Sequence, residues 1–361
     1  MPRPRSAHNK HLPRGWRHYH GAYFYSVPKG LEALWDGKKQ FRLGATLPEA
    51  YKVWAERVGR SEAKTVADLL DSYAAEVVPL KAAKSRTENV RHIAKLRTVL
   101  GKLRLDEVTP QLVYKYVRAR STKKTNEKGR LVGGKTAAHR EVEVLSHAFT
   151  KAVEWGDIAR HPFLGQVRLE GEKPRTRYVD DWEVVECLAL ASRRKKGSVL
   201  AIQAYMRVKL LTGMRRGDLL RLRVTDCRDD GVHVQPHKTQ NTTGKAVIYE
   251  WSDELRAAVD MAKASRPVHI APWLFCNRDG ACYVDDATGE AHGWDSMWGR
   301  FMDRVLKESK VVERFTEHDL RAKCASDAET LEHARALLAH ADSRTTDRIY
   351  RRKAERVKPL R

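Results

Sequence analysis

Between Thr65 and Gly156, apolar residues return at i, i+3, i+4 and i+7 through four successive stretches: VADLLDSYAAEVV, TENVRHIAKLRTVL, TPQLVYKYVRAR and KTAAHREVEVLSHAFTKAVEW. That period belongs to a helix with one buried face, so the spacing predicts a helical segment throughout. Thr109 followed by Pro110 supplies a cap and a first-turn residue for the third stretch. Upstream the period changes. GAYFYSVP and KQFRLG read as short aromatic-rich strands joined through LEALWDGK, with Asp36-Gly37 as the turn, and LPEAYKVWAERVG returns to helical spacing. Two or three strands and a helix make a small β-β-α module. Downstream, the mixed-charge stretch around Pro174 reads as a linker, and DDWEVVECLALASRR opens a second large domain. Within it, VTDCRDDGVHVQPHK to GKAVIYEW alternates as strands joined by a hairpin at QNTTG, with helical patterns on both sides. The expected fold is mainly α with a small β-sheet, an α+β chain divided as 1–61, 62–166, a linker at 167–176, and 177–361. No internal repeat is seen.

Composition narrows the partner rather than the reaction. Across 361 residues, 69 Lys and Arg stand against 46 Asp and Glu, a formal charge of +23. Such an excess goes beyond what solubility needs and favours nucleic acid, although a ribosomal or nucleoid protein would share it. No acid precedes Glu32, whereas Arg3, Arg5, Lys10, Arg14, Arg17 and Lys29 do. Such a basic arm is either an unstructured tail or a segment that settles on phosphates. The predicted helices carry Lys84, Arg86, Arg91, Lys95 and Arg97 on one polar face and Lys115, Arg118 and Arg120 on another, which together suit a bundle laid on a DNA backbone. Cys187, Cys227, Cys276, Cys282 and Cys324 form no CxxC pair and no zinc spacing, so reduced structural thiols are expected, with no metal and no cofactor. The start lacks an apolar signal core and no run of about 18 apolar residues follows. The expectation is a soluble, cytoplasmic protein away from membranes.

One motif is set aside. GRLVGGKT, residues 129–136, satisfies the phosphate-loop pattern, and a helical stretch follows it. A true phosphate loop leaves a buried hydrophobic strand, and the preceding STKKTNEK cannot be one. No later apolar run ending in Asp offers the carboxylate for magnesium. The motif is read as a flexible inter-helix loop, and nucleotide hydrolysis is not expected.

Three polar clusters interrupt the alternation of the second domain. In LLTGMRRGDLLRL, Gly213 permits a sharp turn, Arg215 follows it, and Asp218 lies three residues on. A buried arginine needs an acceptor, so Arg215 either points at an anion or pairs locally with Asp218. In EHDLR, His318 and Arg321 are three apart and share a helix face, joining a proton-exchanging ring to a fork that binds two phosphate oxygens. In LLAHADSRTTDRIYRR, His340 closes a helical pattern and Tyr350 follows ten residues later among Arg348, Arg351 and Arg352. Read singly, each cluster has an ordinary structural explanation: a salt bridge, a surface pair, a tyrosine at a core edge.

Taken in order, Arg, then Lys, then HxxR, then LLxH, then Tyr resembles the signature of the tyrosine recombinases and phage integrases. The resemblance is strong over 178–361. It is looser over the preceding helices, where KTAAHREVEVLSHAFTKAVEWGDIARHPF is similar to the last helix and exit of that family's core-binding domain. It is weak over the N-terminal module, similar to an arm-type DNA-binding domain. What it implies is a helical core-binding domain and a catalytic domain clamping DNA, with strands cut and rejoined through a 3′-phosphotyrosine at Tyr350. Arg215 and Arg321 would clamp the scissile phosphate, and His318 would exchange the tyrosine proton. Lys238 would protonate the departing 5′ oxygen, although Lys245 at the other end of the same hairpin stays open for that role. His340 would bond the phosphate or position its neighbours, and Asp218 would hold the arginines or the turn. Ala339 departs from the glycine the family commonly has before the second histidine, a change expected to tighten the backbone slightly. The implied partners are double-stranded attachment-site DNA, a homotetramer on that DNA, and accessory DNA-bending or directionality factors, in a bacterial host cytoplasm or nucleoid. The tail RRKAERVKPLR is expected to dock on a neighbouring protomer. Two other classes stay open: a type IB topoisomerase-like enzyme that relaxes DNA without exchanging partners, and a non-catalytic DNA-binding protein with a degenerate site.

Overall fold

The structure, a computed structural model, describes residues 9, 12–58, 63–122, 124–125, 131–132, 134–171, 173–193, 197–237, 240, 244–354 and 357–360. Arg3, Arg5 and Lys10 of the basic arm lie outside the described residues, and so does Lys238. The chain divides into two compact units, residues 1–172 with 287–289, and 173–286 with 290–361. Among the described residues no helix is long and apolar enough to cross a membrane.

The first unit opens on an antiparallel sheet of β1 (Trp16–Tyr19), β2 (Ala22–Ser26) and β3 (Gln40–Gly44), in that order. Trp16 faces Tyr25 and Tyr25 faces Phe41, with a bulge between Tyr23 and Phe24. The sequence marks β2 and β3. The WRHY strand in front of them is hidden because its buried Trp16 is followed by polar residues. Helix α1 (Leu47–Val58) lies against this sheet, and Trp16 packs on Tyr51 at 4.9 Å between ring centroids. Four helices follow: α2 (Val66–Glu76), α3 (Ala83–Leu100), α4 (Pro110–Ser121) and α5 (Lys135–Glu154). Thr65 caps α2 in a reciprocal capping box with Asp68, and Thr109 caps α4 by accepting the Leu112 N–H. One continuous apolar core runs from Leu12 and Trp16 through Leu69, Leu96 and Leu145 to Phe163.

Two arginines expected on the phosphate-facing side turn inward. Arg97 pairs with Asp71, and Arg120 pairs with Glu141, which Tyr116 also bonds. A guanidinium at the edge of a helical stripe can reach back to a buried carboxylate, and the spacing of basic residues alone does not reveal that. Lys84, Arg91, Lys95, Lys115 and Arg118 remain exposed. The GRLVGGKT segment contains β5 (Leu131–Val132), paired with β4 (Lys124–Thr125) in a two-stranded ribbon instead of the core strand a phosphate loop leaves. Lys135 forms an ion pair with Glu170.

The second unit begins with α6 (Asp181–Ala189), then α7 (Ser198–Thr212) and the short α8 (Arg216–Leu220). An antiparallel sheet of β6 (Cys227–Arg228), β7 (Gly231–Val234) and β8 (Val247–Glu250) pairs Val232 with Tyr249 and Val234 with Val247. Next come α9 (Asp253–Ser265), α10 (His292–Glu308), α11 (Glu317–Asp327), α12 (Leu331–Leu337) and α13 (Ser343–Thr345), and a π-helical turn spans Thr346–Tyr350. The core gathers around α7, with Ile202, Tyr205, Met206 and Val208 buried against Trp294, Phe301 and Phe315. Tyr249 donates its hydroxyl to the Leu337 carbonyl at 2.9 Å and so fastens the sheet to α12. All five cysteines are free thiols.

Two backbone positions shape the turns that close α7 and α12. α7 ends on Gly213, at φ 63°, where an added Cβ would lie 2.8 Å from Leu338 Cδ2 and 3.1 Å from Cys324 Sγ. α12 ends in a Schellman motif: His340 N–H donates to the Arg335 carbonyl and Ala339 N–H to that of Ala336. That motif requires a left-handed residue, and Ala339 sits at φ 49° where glycine would be unstrained. The alanine thus does more than tighten the backbone. Replacing Ala339 by glycine should raise stability by about 0.5–1 kcal/mol, the left-handed penalty partly offset by glycine's freedom in the unfolded chain. Gly213→Ala should cost about 2–4 kcal/mol through the same penalty plus overpacking. Urea unfolding of the two variants checks both signs.

Candidate active site

α7 is apolar on nearly all sides, as a helix in the middle of a core must be. It buries one cation, Lys209, which is 1% exposed and donates to the Met214 carbonyl at 2.8 Å. Burial pulls its ammonium down to about 7. Glu317 and Asp218 work against that shift, and Arg321 and Arg216 reinforce it. Arg321 donates to the neighbouring Gly213 carbonyl. Two cations therefore grip consecutive carbonyls of the turn that launches Arg215, which sits at the cap position of α8. Arg215 is half-buried, and its guanidinium has no hydrogen-bond or ion-pair partner among the described residues. The local pair with Asp218 does not form. Asp218 instead accepts the His237 N–H at 2.9 Å, fixing the backbone that enters the hairpin just before Lys238. Arg216 is the structurally paired neighbour, 2.8 Å from Asp295. Lys245 is described and exposed, on the strand side of the hairpin.

Thr316 and Asp319 form the capping box that starts α11, placing His318 in its first turn and Arg321 one turn on. Arg321 is 2% exposed. Besides Gly213 it donates to the Leu338 carbonyl at 2.8 Å and to His340 Nε2 at 3.0 Å, and its Nε is buried without a partner among the described residues. No carboxylate is among these partners. Burial lowers the guanidinium's affinity for its proton, Arg215 adds to that, and Tyr350 opposes it. His318 is exposed. Burial first, then the charges of Arg321, Arg352 and Lys209, pull its imidazole down to about 4, with Asp319 opposing.

Because arginine only donates, His340 Nε2 must accept, so the ring carries its proton on Nδ1 and gives it to Thr346 Oγ1 at 2.9 Å. Thr346 opens the π-helical turn that ends on Tyr350. The Tyr350 ring lies 5.1 Å from both the His318 and His340 rings, and the Arg321 Cζ stands 5.2 Å from its centroid. Beyond it, Ser326 Oγ donates to the Tyr350 carbonyl at 2.9 Å and accepts the Arg352 N–H at 2.7 Å. The Arg352 guanidinium is held by Asp319 Oδ1 at 2.6 Å, with Arg175 on the other carboxylate oxygen at 3.0 Å. The start of the tail is thus anchored within its own chain.

The structure therefore brings Arg321, His318, His340 and Tyr350 into contact, sets Arg215 beside them without a counter-charge among the described residues, and puts Asp218 beneath the hairpin. Sequence reasoning misses Lys209, Ser326 and the Arg352–Asp319–Arg175 clasp. A lysine among the apolar residues of a mostly apolar helix is a legible sign for the first. Pairings across more than twenty residues leave no local sign for the others.

Residues 179–356 match the phage integrase family. No curated protein matches the chain. Among solved structures, a lambda integrase tetramer bound to a Holliday junction is similar with a TM-score of 0.60 at 20% identity, over 96% of this chain and 98% of that one. The Tn1549 transposon integrase in complex with circular intermediate DNA is similar with a TM-score of 0.59 at 17% identity, over 79% of this chain and 94% of that one. At such identities these likenesses establish the fold. Through residues 179–356, with the arginine, histidine and tyrosine cluster they enclose, the chain belongs to the phage integrase family of tyrosine recombinases.

Proposed function

We propose that this recombinase cleaves and rejoins DNA through a 3′-phosphotyrosine on Tyr350, and that it integrates or excises a mobile element. The observation that carries the reading is a phenol packed against Arg321, His318 and His340, with two arginines that no carboxylate among the described residues neutralises. Phosphoryl transfer through a five-coordinate phosphorus gathers negative charge on the non-bridging oxygens, and preorganised cations there supply the dominant stabilisation. Arg215 and Arg321 take that part. The Tyr350 oxygen attacks phosphorus, its proton passes to His318, the bond to the 5′ oxygen breaks, and Lys238 protonates the oxygen that leaves. Rejoining runs the same steps backward. His340 orients Arg321, and Asp218 holds the entrance of the hairpin that carries Lys238. One phosphodiester is exchanged for a phosphotyrosine and then for another phosphodiester, so bond energy is conserved and the reaction draws on no nucleotide.

Residues 62–166 serve as the core-binding domain, with Lys84, Arg91, Lys95, Lys115 and Arg118 on phosphates. Residues 1–61 are the arm-type module, 167–176 the linker, and 177–361 the catalytic domain. The chain acts on attachment-site DNA as a homotetramer, a reading supported by the lambda integrase tetramer on a Holliday junction. Accessory bending or directionality factors join it in the host cytoplasm or nucleoid.

Tyr350→Phe should abolish the covalent adduct on a nicked suicide substrate, a loss of at least about 10³-fold. Persistent strand joining would refute the assignment, and plasmid relaxation without exchanged products would move the enzyme to the topoisomerase class. With a 5′-thio leaving strand, which needs no protonation, Lys238→Ala should regain cleavage and Lys245→Ala should show no such rescue; the reverse pattern would assign the acid to Lys245. His318 should be neutral in DNA-free protein at pH 5.5, where an ordinary imidazole with a pKa of about 6.5 is mostly protonated. Folding then opposes a proton that the unfolded chain accepts, so stability falls as pH drops from about 6.5 toward 4. Side-chain nitrogen NMR reads the ring directly, and a protonated His318 at pH 5.5 would remove it as the resting base.

A further inference from the structure

Lys209 takes no part in the reaction as proposed, yet it lies in the middle of the catalytic core, 1% exposed. Among the described residues its amine meets the Met214 carbonyl at 2.8 Å and the face of the Tyr205 ring, 5.3 Å from the centroid. No carboxylate pairs with it there. Burying an ammonium without a counter-ion is costly, and a core that had only to satisfy one carbonyl could do so with a hydroxyl or an amide. A lysine in this place therefore calls for a use beyond packing.

The bond it makes supplies that use. The Met214 carbonyl and the Arg215 N–H belong to one rigid peptide plane, and Lys209 holds that plane from α7. The plane after Arg215 is held as well, because the Arg215 carbonyl accepts the Asp218 N–H at 3.1 Å and the Leu219 N–H at 3.0 Å. One plane further back, the Gly213 carbonyl accepts from Arg321, and the Met214 N–H donates to Thr212 Oγ1 at 3.4 Å. Once the planes before and after a residue are fixed, so are its φ and ψ and the direction in which its side chain leaves the backbone. The Arg215 guanidinium has no partner of its own among the described residues. Its aim therefore comes from the backbone, and the plane just before it depends on Lys209.

We propose that Lys209 is a positioning residue for the strand-cleavage reaction: it sets the direction from which Arg215 reaches the scissile phosphate. The inference rests on the roles given above to Arg215 and Tyr350. It adds that the clamp is aligned before DNA arrives, by a buried side chain that never meets the DNA, so alignment costs no reorganisation when the phosphorus becomes five-coordinate. Lys209 and Arg321 divide this work, one on each of the two peptide planes that lead into Arg215.

The test compares the full-length protein with Lys209→Met, which keeps the length of the side chain and loses its donor. Affinity for core-site duplex should stay within about twofold, because residue 209 meets no DNA. Formation of the covalent adduct on a nicked suicide substrate, at saturating protein, should slow about 10- to 100-fold, the scale of a misplaced group beside the reacting atoms. The same substrate is then made with a methylphosphonate at the scissile position, where a methyl group replaces one non-bridging oxygen and removes the charge that Arg215 would neutralise. There the deficit should shrink to within about threefold, and that of Arg215→Ala should shrink beside it. Cleavage of the phosphate by Lys209→Met at the wild-type rate would overturn the proposal. So would a deficit that persists in full on the methylphosphonate, since residue 209 would then act on something other than the clamp. If circular dichroism shows that neither Lys209→Met nor Lys209→Leu folds, the lysine is a strut of the core and the proposal falls. Unaltered protein that forms no adduct would instead remove the underlying reaction, and this proposal with it, an outcome distinct from any difference between variants.

Discussion

Arg321 is the junction through which the catalytic unit holds together. Its buried guanidinium joins the end of α7 at Gly213, the end of α12 at Leu338, and the ring of His340. It also lies over Tyr350, so the end of α7 and three positions of the stretch from Leu338 to Tyr350 meet on one planar group. Arginine suits this place because a rigid fork can satisfy several acceptors in fixed directions, whereas an ammonium could not span them. The arrangement also explains two local demands of the backbone. Gly213 lacks a side chain where Leu338 and Cys324 close in, and Ala339 is driven into the left-handed region so that the chain can reverse and present His340.

Much of this was legible in the sequence, and the reason differs from one residue to the next. Helices with one apolar stripe announce themselves by period, which is why α2, α4 and α5 fall close to where the spacing puts them. Caps such as Thr65 and Thr109 are local chemistry and can be read directly. The site residues were legible only as an ordered set, because a histidine and an arginine three apart carry little meaning singly. Charge sign was legible but charge direction was not: Arg97 and Arg120 have the composition of a phosphate-binding face, yet they turn to Asp71 and Glu141. The Arg352–Asp319 contact joins residues 33 apart in the chain, and only the folded molecule brings them together.

Partner chemistry separates two populations of cations in this protein. Arg97, Arg120, Arg216 and Arg352 are met by carboxylates, which fixes them in place and offsets part of their charge. Lys209, Arg266 and Arg321 are held by carbonyl oxygens, with an imidazole besides for Arg321. A carbonyl dipole satisfies a donor's geometry without neutralising the ion. A cation held that way keeps its field for an incoming anion and costs no reorganisation when the anion arrives. The fold must bear an uncompensated buried charge until then, which is the penalty carried by a buried ion lacking its partner.

That penalty accounts for where the carbonyl-held cations occur. Arg321 and Lys209 grip the Gly213–Met214 turn beside Arg215, and Arg266 ties the end of α9 to the His269 and Ala271 carbonyls. A core that needed only stability would have replaced such groups with apolar side chains, as α7 does at Val208 and Met206. On the proposed reading an anion completes the structure beside Arg321 and Lys209, and the unoccupied protein is then less stable than the occupied one. In the proposed mechanism, binding of the scissile phosphate would have two effects: it would bring the reacting phosphorus to Tyr350, and it would relieve the mutual repulsion of the arginines that surround it.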